Sequence, residues 1–167
     1  RMPGRLLTYP HGRKPMLITV PEHRNNASWA LIKTRVGQEN FGMLLRDTYG
    51  KGEMLTLAVP DAFPDLYQLP VDVLTRLRAA FPVGGVHLEC GPQISLFPYD
   101  NDAFIVYPYV DDGTQPSLIR IHVAGQVKAL DMPAGGRPLQ PLYTTEKETV
   151  FEHRVQPGRY DLFRIVR

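Results

Sequence analysis

Cysteine is almost absent from this sequence: Cys90 is the only one in 167 residues. No internal disulfide can staple the fold, so stability must come from packing. A lone thiol also fits a reducing compartment, and a cytoplasmic location is expected. Charge of one sign is missing too, with 19 Lys and Arg against 17 Asp and Glu for a net +2. The basic residues are scattered rather than clustered, which argues against nucleic acid as a partner. No apolar run approaches the roughly 18 residues of a membrane span, and no signal-peptide pattern opens the chain, so no membrane partner is expected. An initiator methionine is lacking as well. Arg1 precedes Met2, so Arg1 is either a vector residue or part of a longer polypeptide, and the second is expected.

What is present suffices for a core. A hydrophobic fraction of 43% with 22% charged residues is ordinary for a globular chain. The length fits one domain, or one domain with a smaller subdomain.

The later half is organised around a hairpin. Tyr99-Asp100-Asn101-Asp102 lies between the apolar runs Ile94-Ser95-Leu96-Phe97 and Phe104-Ile105-Val106-Tyr107. Asp and Asn tolerate left-handed backbone angles and bond their own main chain, so such a cluster closes a hairpin. The same grammar predicts strands at 86–90, 94–97, 104–109, 118–123, 127–132, 139–143, 149–155 and 160–166. In Leu118-Ile119-Arg120-Ile121-His122-Val123 the alternation is clean, one face buried and one wet. Seven or eight short strands at this spacing indicate an antiparallel β-sandwich over 86–167.

The earlier half, 1–85, reads as a small sheet with one helix. Strands are expected at 6–9, 16–20, 29–36, 41–46 and 54–59, and a short helical turn at 61–66. Gly50 and Gly52 suit a tight turn. Residues 70–81 read as an amphipathic helix: Pro70 suits its first position, and Val73, Leu74, Leu77, Ala80 and Phe81 share a face opposite Asp72, Thr75, Arg76 and Arg78. The fold class is therefore α+β, mainly β.

Motifs for chemistry are sparse. Gly50-Lys51-Gly52 lacks the leading glycine and trailing hydroxyl of a phosphate loop and precedes a strand, so it reads as a hairpin turn. The histidines His11, His23, His87, His122 and His153 lack the short spacings of a zinc site, and read as solvent-facing strand positions. His122 and His153 could converge from adjacent strands. Asp100, Asn101, Asp102, Asp111 and Asp112 offer oxygens of the kind calcium takes, but turn chemistry accounts for them. No metal and no cofactor is expected. Ser28, Ser95 and Ser117 lie outside any nucleophile elbow, and Cys90 sits in an apolar strand where a thiol is inert. No pattern pairs Glu22, Glu39, Glu53 or Glu89 as a glycosidase needs, so no catalytic residue is assigned. Flat rings stack on sugars, and Trp29, Tyr49, Tyr99, Tyr107 and Tyr109 could do so. Tyr107 and Tyr109 share a strand face across Pro108, which marks an edge strand or a bulge.

With both halves laid out, a resemblance emerges. The run 96–107, then Ile119-Arg120-Ile121, Val127-Lys128-Ala129-Leu130-Asp131, Val150-Phe151 and Gly158-Arg159-Tyr160-Asp161-Leu162-Phe163-Arg164-Ile165, resembles the small C-terminal β-sandwich of multidomain glycoside hydrolases. Tyr49-Gly50-Lys51-Gly52-Glu53-Met54-Leu55-Thr56-Leu57, Pro60-Asp61 and Leu69-Pro70-Val71-Asp72-Val73-Leu74 are similar to the end of the amidotransferase-like domain preceding that sandwich in trimer-forming beta-galactosidases. In those enzymes the catalytic carboxylates lie on a barrel, which nothing here matches. The resemblance implies a non-catalytic accessory module, partnered by missing upstream domains or by protomers of the same protein. Two alternatives stay open: a carbohydrate-binding sandwich using Trp29, Tyr107 or Tyr109, and a small hydrolase using Glu39 or Glu53 with a nearby Asp.

Overall fold

The computed structural model describes residues 28–36, 39–58, 66, 69–109 and 115–167. The strands expected at 6–9 and 16–20 lie outside these residues, as do His11, His23, Asp111, Asp112 and, except for Leu66, the turn expected at 61–66. The chain divides into two compact units, 1–70 and 71–167. The helix expected within 1–85 thus falls in the same unit as the sandwich.

In the first unit, β1 (Trp29–Val36), β2 (Glu39–Tyr49) and β3 (Gly52–Leu57) form a three-stranded antiparallel sheet in sequence order. The turn between β2 and β3 pairs Tyr49 with Gly52, and Gly50 takes φ +60°, the sign a two-residue hairpin loop requires. Register shifts between Ala30 and Lys33 break the alternation the sequence suggests for β1. Met43, Leu44 and Leu45 are consecutive and all buried, so the middle of β2 is covered on both faces.

The second unit opens with α1 (Val71–Ala80), preceded by Pro70 as the sequence predicts. Then come β4 (Val86–Glu89), β5 (Ile94–Pro98), β6 (Ala103–Pro108), β7 (Ser117–Ala124), β8 (Ala129–Asp131), β9 (Tyr143–Thr144), β10 (Glu148–Val155) and β11 (Asp161–Val166). They form two antiparallel sheets, ordered β4-β7-β10-β9 and β5-β6-β11-β8. Between the sheets lies a core built on Leu88, Val106, Ile121, Leu130, Phe151 and Phe163, with the Phe104 and Phe163 rings 5.2 Å apart. This is the expected sandwich, and the chain is mainly β with one helix among the described residues.

The predicted hairpin is present. Tyr99 N donates to Ala103 O at 2.8 Å, and Asp102 takes φ +57°, closing a three-residue loop with its left-handed position on an Asp. The segment expected as one strand at 139–143 does something else. Leu139 exchanges both backbone hydrogen bonds with Leu130 in one sheet, whereas Leu142 N bonds Val150 O in the other. Pro138 and Pro141 remove the donors that would continue a ladder, so the segment crosses between sheets. Pro108 also departs from expectation. Its strand, β6, is internal, and the proline is tolerated because it sits at the strand's last position, opposite Ile94, with its carbonyl accepting from Gly158 N. Thr149, fully buried, is satisfied twice: its hydroxyl donates to Gly125 O at 2.9 Å and accepts from Val127 N at 3.0 Å.

Candidate functional site

Strand parity decides which side chains meet. On β7, Ile119, Ile121 and Val123 enter the core, which turns Arg120 and His122 to the outer face of their sheet. In β4, Leu88 points inward and His87 and Glu89 outward; register then sets His87 against His122 and Glu89 against Arg120. β10 adds Glu152 opposite Arg120 and Glu148 one diagonal step from His122. The outcome is a polar cluster of His87, Glu89, Arg120, His122, Glu148 and Glu152.

Its geometry is tight. The His87 and His122 rings stack with centroids 4.4 Å apart and planes 22° from parallel. His122 Nε2 lies 3.3 Å from Glu89 Oε2, and Nδ1 lies 3.2 Å from Glu148 Oε1. The Nε2 contact is a hydrogen bond, but Nδ1 is buried and makes none. Arg120 ties the rim, at 3.3 Å from Glu89 and 3.6 Å from Glu152. His122 is only 8% exposed, so the expectation that it faces solvent is corrected: His87 lies over it and two glutamates flank it. The His87 pKa is lowered, chiefly by burial and then by the neighbouring His122 ring, with Glu148 and Glu89 opposing.

His122 and His153 lie on adjacent strands, but opposite parity sends them to different faces. His153 faces the other sheet, hydrogen-bonding Asp161 at 2.9 Å and meeting the Phe163 ring edge-on. Cys90 follows the last residue of β4 and so lies just outside the strand it was expected in, and burial pushes its thiol up to about 11 against the nearby Arg78 charge.

The other outer face carries a groove of about 410 Å³. Ile105 and Leu162 line it with Tyr99, Asp100, Asn101 and Arg164. Among the residues proposed for sugar stacking, Tyr107 and Tyr109 do meet, edge to face with centroids 5.3 Å apart. Tyr109 is exposed and Tyr107 half-buried. Trp29, 71% exposed, belongs to the first unit. Glu53 is at the surface, 3.8 Å from Arg46, and Glu39 belongs to β2.

A comparison with known families finds one similarity, in the second half. Residues 85–165 match a family described as "Probable glycosyl hydrolase, C-terminal domain". This segment is similar to the C-terminal domains of probable glycosyl hydrolases. No curated protein and no solved structure matches the chain. The module begins with β4 and ends within β11, so the match spans both sheets of the sandwich and leaves out α1. Sequence reasoning misses the His87–His122–Glu148 grouping. Each residue's outward parity was available from alternation, but the register that puts His87 on His122 was not.

Proposed function

We propose that this chain serves as a non-catalytic structural module of a multidomain glycoside hydrolase, of the trimer-forming beta-galactosidase type. Its role is to dock onto the upstream domains or onto other protomers. The observation that supports this most is the family match over 85–165. Apolar side chains just ahead of the matched segment add to it: Val71, Phe81 and Val83 are each about half exposed, at 48%, 49% and 54%, although burial of such groups is favourable. The isolated chain should turn over no aryl glycoside, and Phe81→Asp with Val83→Asp should weaken assembly of the whole protein in light scattering. Turnover by the isolated chain defeats the proposal.

A second reading is favoured by the Tyr107–Tyr109 pair. Two rings in contact, one of them exposed, make a platform of the kind that stacks on sugar faces. Glycan-array binding lost in Tyr107→Ala and Tyr109→Ala supports it, and silence across the array removes it.

A further inference from the structure

We propose that His87, His122 and Glu148 form a binding site for a divalent transition-metal ion of the zinc class. Each can bring a ligand atom within 4.8 Å of the other two. Two imidazoles and a carboxylate are a donor set that zinc takes with a fourth position left to water.

The decisive detail is His122 Nδ1. In the neutral tautomer that donates Nε2–H to Glu89, the Nδ1 lone pair is buried, without a hydrogen bond, 3.2 Å from a carboxylate oxygen. A lone pair and a carboxylate repel unless a cation lies between them. A metal about 2.0–2.1 Å from both atoms would see them at an angle of about 100°, near tetrahedral. The spacing is therefore already that of two ligands on one ion. His87 stacks alongside, with a ring nitrogen within 4.8 Å of the other two ligand atoms. Glu89, held by Arg120, then occupies the place of the carboxylate that fixes a metal-bound histidine's tautomer.

The competing occupant is a proton, making His122 an imidazolium between two glutamates. The two differ in experiment. The full chain, stripped with EDTA and dialysed, is titrated with Co²⁺ while visible absorption is followed, and with Zn²⁺ by calorimetry. One equivalent should bind with the visible bands of tetrahedral cobalt. Affinity should fall at least tenfold in Glu148→Gln and in Glu89→Gln, and a hundredfold in His87→Ala and His122→Ala. His153→Gln, on the other face, should bind as the wild type does. Circular dichroism without metal shows which variants remain folded, and Glu148→Gln alters only a partly exposed side chain, so it serves even if His122→Ala does not fold. No uptake, or uptake unchanged in Glu148→Gln and His87→Ala, overturns the proposal.

Discussion

Arg78 is the sharpest place to test how α1 is held on the sandwich. It was expected on the solvent face of the helix, yet its guanidinium turns toward the end of β4. Nη1 donates to Cys90 O at 2.7 Å and approaches Cys90 Sγ at 3.2 Å, while Nη2 donates to Gly91 O at 3.1 Å. Arg78→Met keeps most of the aliphatic stem and removes every donor. A hydrogen bond from a charged donor is worth about 1.5–3 kcal/mol net, and a buried carbonyl left unpaired costs about 1–3 kcal/mol. Cys90 is 4% exposed, so its carbonyl gains little water, whereas Gly91 is only half-buried and can rehydrate. The expected loss is about 3 kcal/mol, a fall of roughly 1–3 M in urea midpoint for m-values of about 1–3 kcal/mol/M. Circular dichroism is the assay of choice, because Trp29 lies in the first unit and its fluorescence reports there.

Thiol chemistry supplies a second readout on the same variant. With a pKa of about 11, only about one Cys90 in a thousand is thiolate at pH 8, against about one in ten for a free thiol. Removing the Arg78 charge alone pushes the thiol higher and slows alkylation further. Helix detachment exposes it and accelerates alkylation. A midpoint within 0.3 M of wild type, with alkylation unchanged, would refute the role assigned to Arg78.

Three further outcomes are expected. The unfolded thiol ionises near 9 and the folded one near about 11, so the unfolded state gives up its proton first as pH rises. This contribution to stability is intact below pH 9 and is lost between 9 and about 11, at up to about 1.4 kcal/mol per pH unit. Cys90→Ala should lack that slope in pH-dependent urea melts, and parallel curves for the two proteins would contradict it. Phe163→Ala removes a fully buried ring stacked on Phe104 and should cost about 3–5 kcal/mol; a loss under 1 kcal/mol in chemical denaturation would mean the core is not packed there. Asp102→Val places a β-branched residue at φ +57° and should cost about 1–2 kcal/mol, whereas Asp102→Gly stays close to wild type. Equal melting temperatures for the two variants would show that the hairpin does not demand the left-handed angle.

The sandwich was legible in the sequence because its signals are local. Alternation in β7 and the Tyr99-Asp100-Asn101-Asp102 loop each need only neighbouring residues to be read, and both appear in the structure. What local pattern cannot express is pairing. Leu139 and Leu142 are three residues apart and read as one strand, yet they bond to different sheets. His122 has outward parity and reads as wet, but a ring 35 positions earlier in the chain covers it. Arg78 falls on the polar arc of the helix, and a long flexible stem let it reach carbonyls that a helical-wheel count does not see.

The two outer faces of the sandwich differ in what they cost the fold. An apolar groove edged by Tyr99 and Arg164 is a surface that any packed partner, sugar or loop can cover, and it asks little of the free module. The face of His87, His122 and Glu148 is different in kind. It withdraws an imidazole from water, leaves one of its nitrogens without a hydrogen bond, and surrounds it with carboxylates. Burying polar groups that way is unfavourable unless something compensates. An apolar residue at position 122 facing Val150, its fully buried neighbour across β10, would suit a pure scaffold better. His122→Leu should therefore raise the unfolding free energy in metal-free buffer, by about 1 kcal/mol or more once the uncompensated nitrogen is gone. Added Zn²⁺ should stabilise the wild type and leave this variant unmoved. A destabilised variant under metal-free conditions would show instead that Glu89 and Glu148 already compensate His122 fully, and that this face is held together by its ion pairs alone.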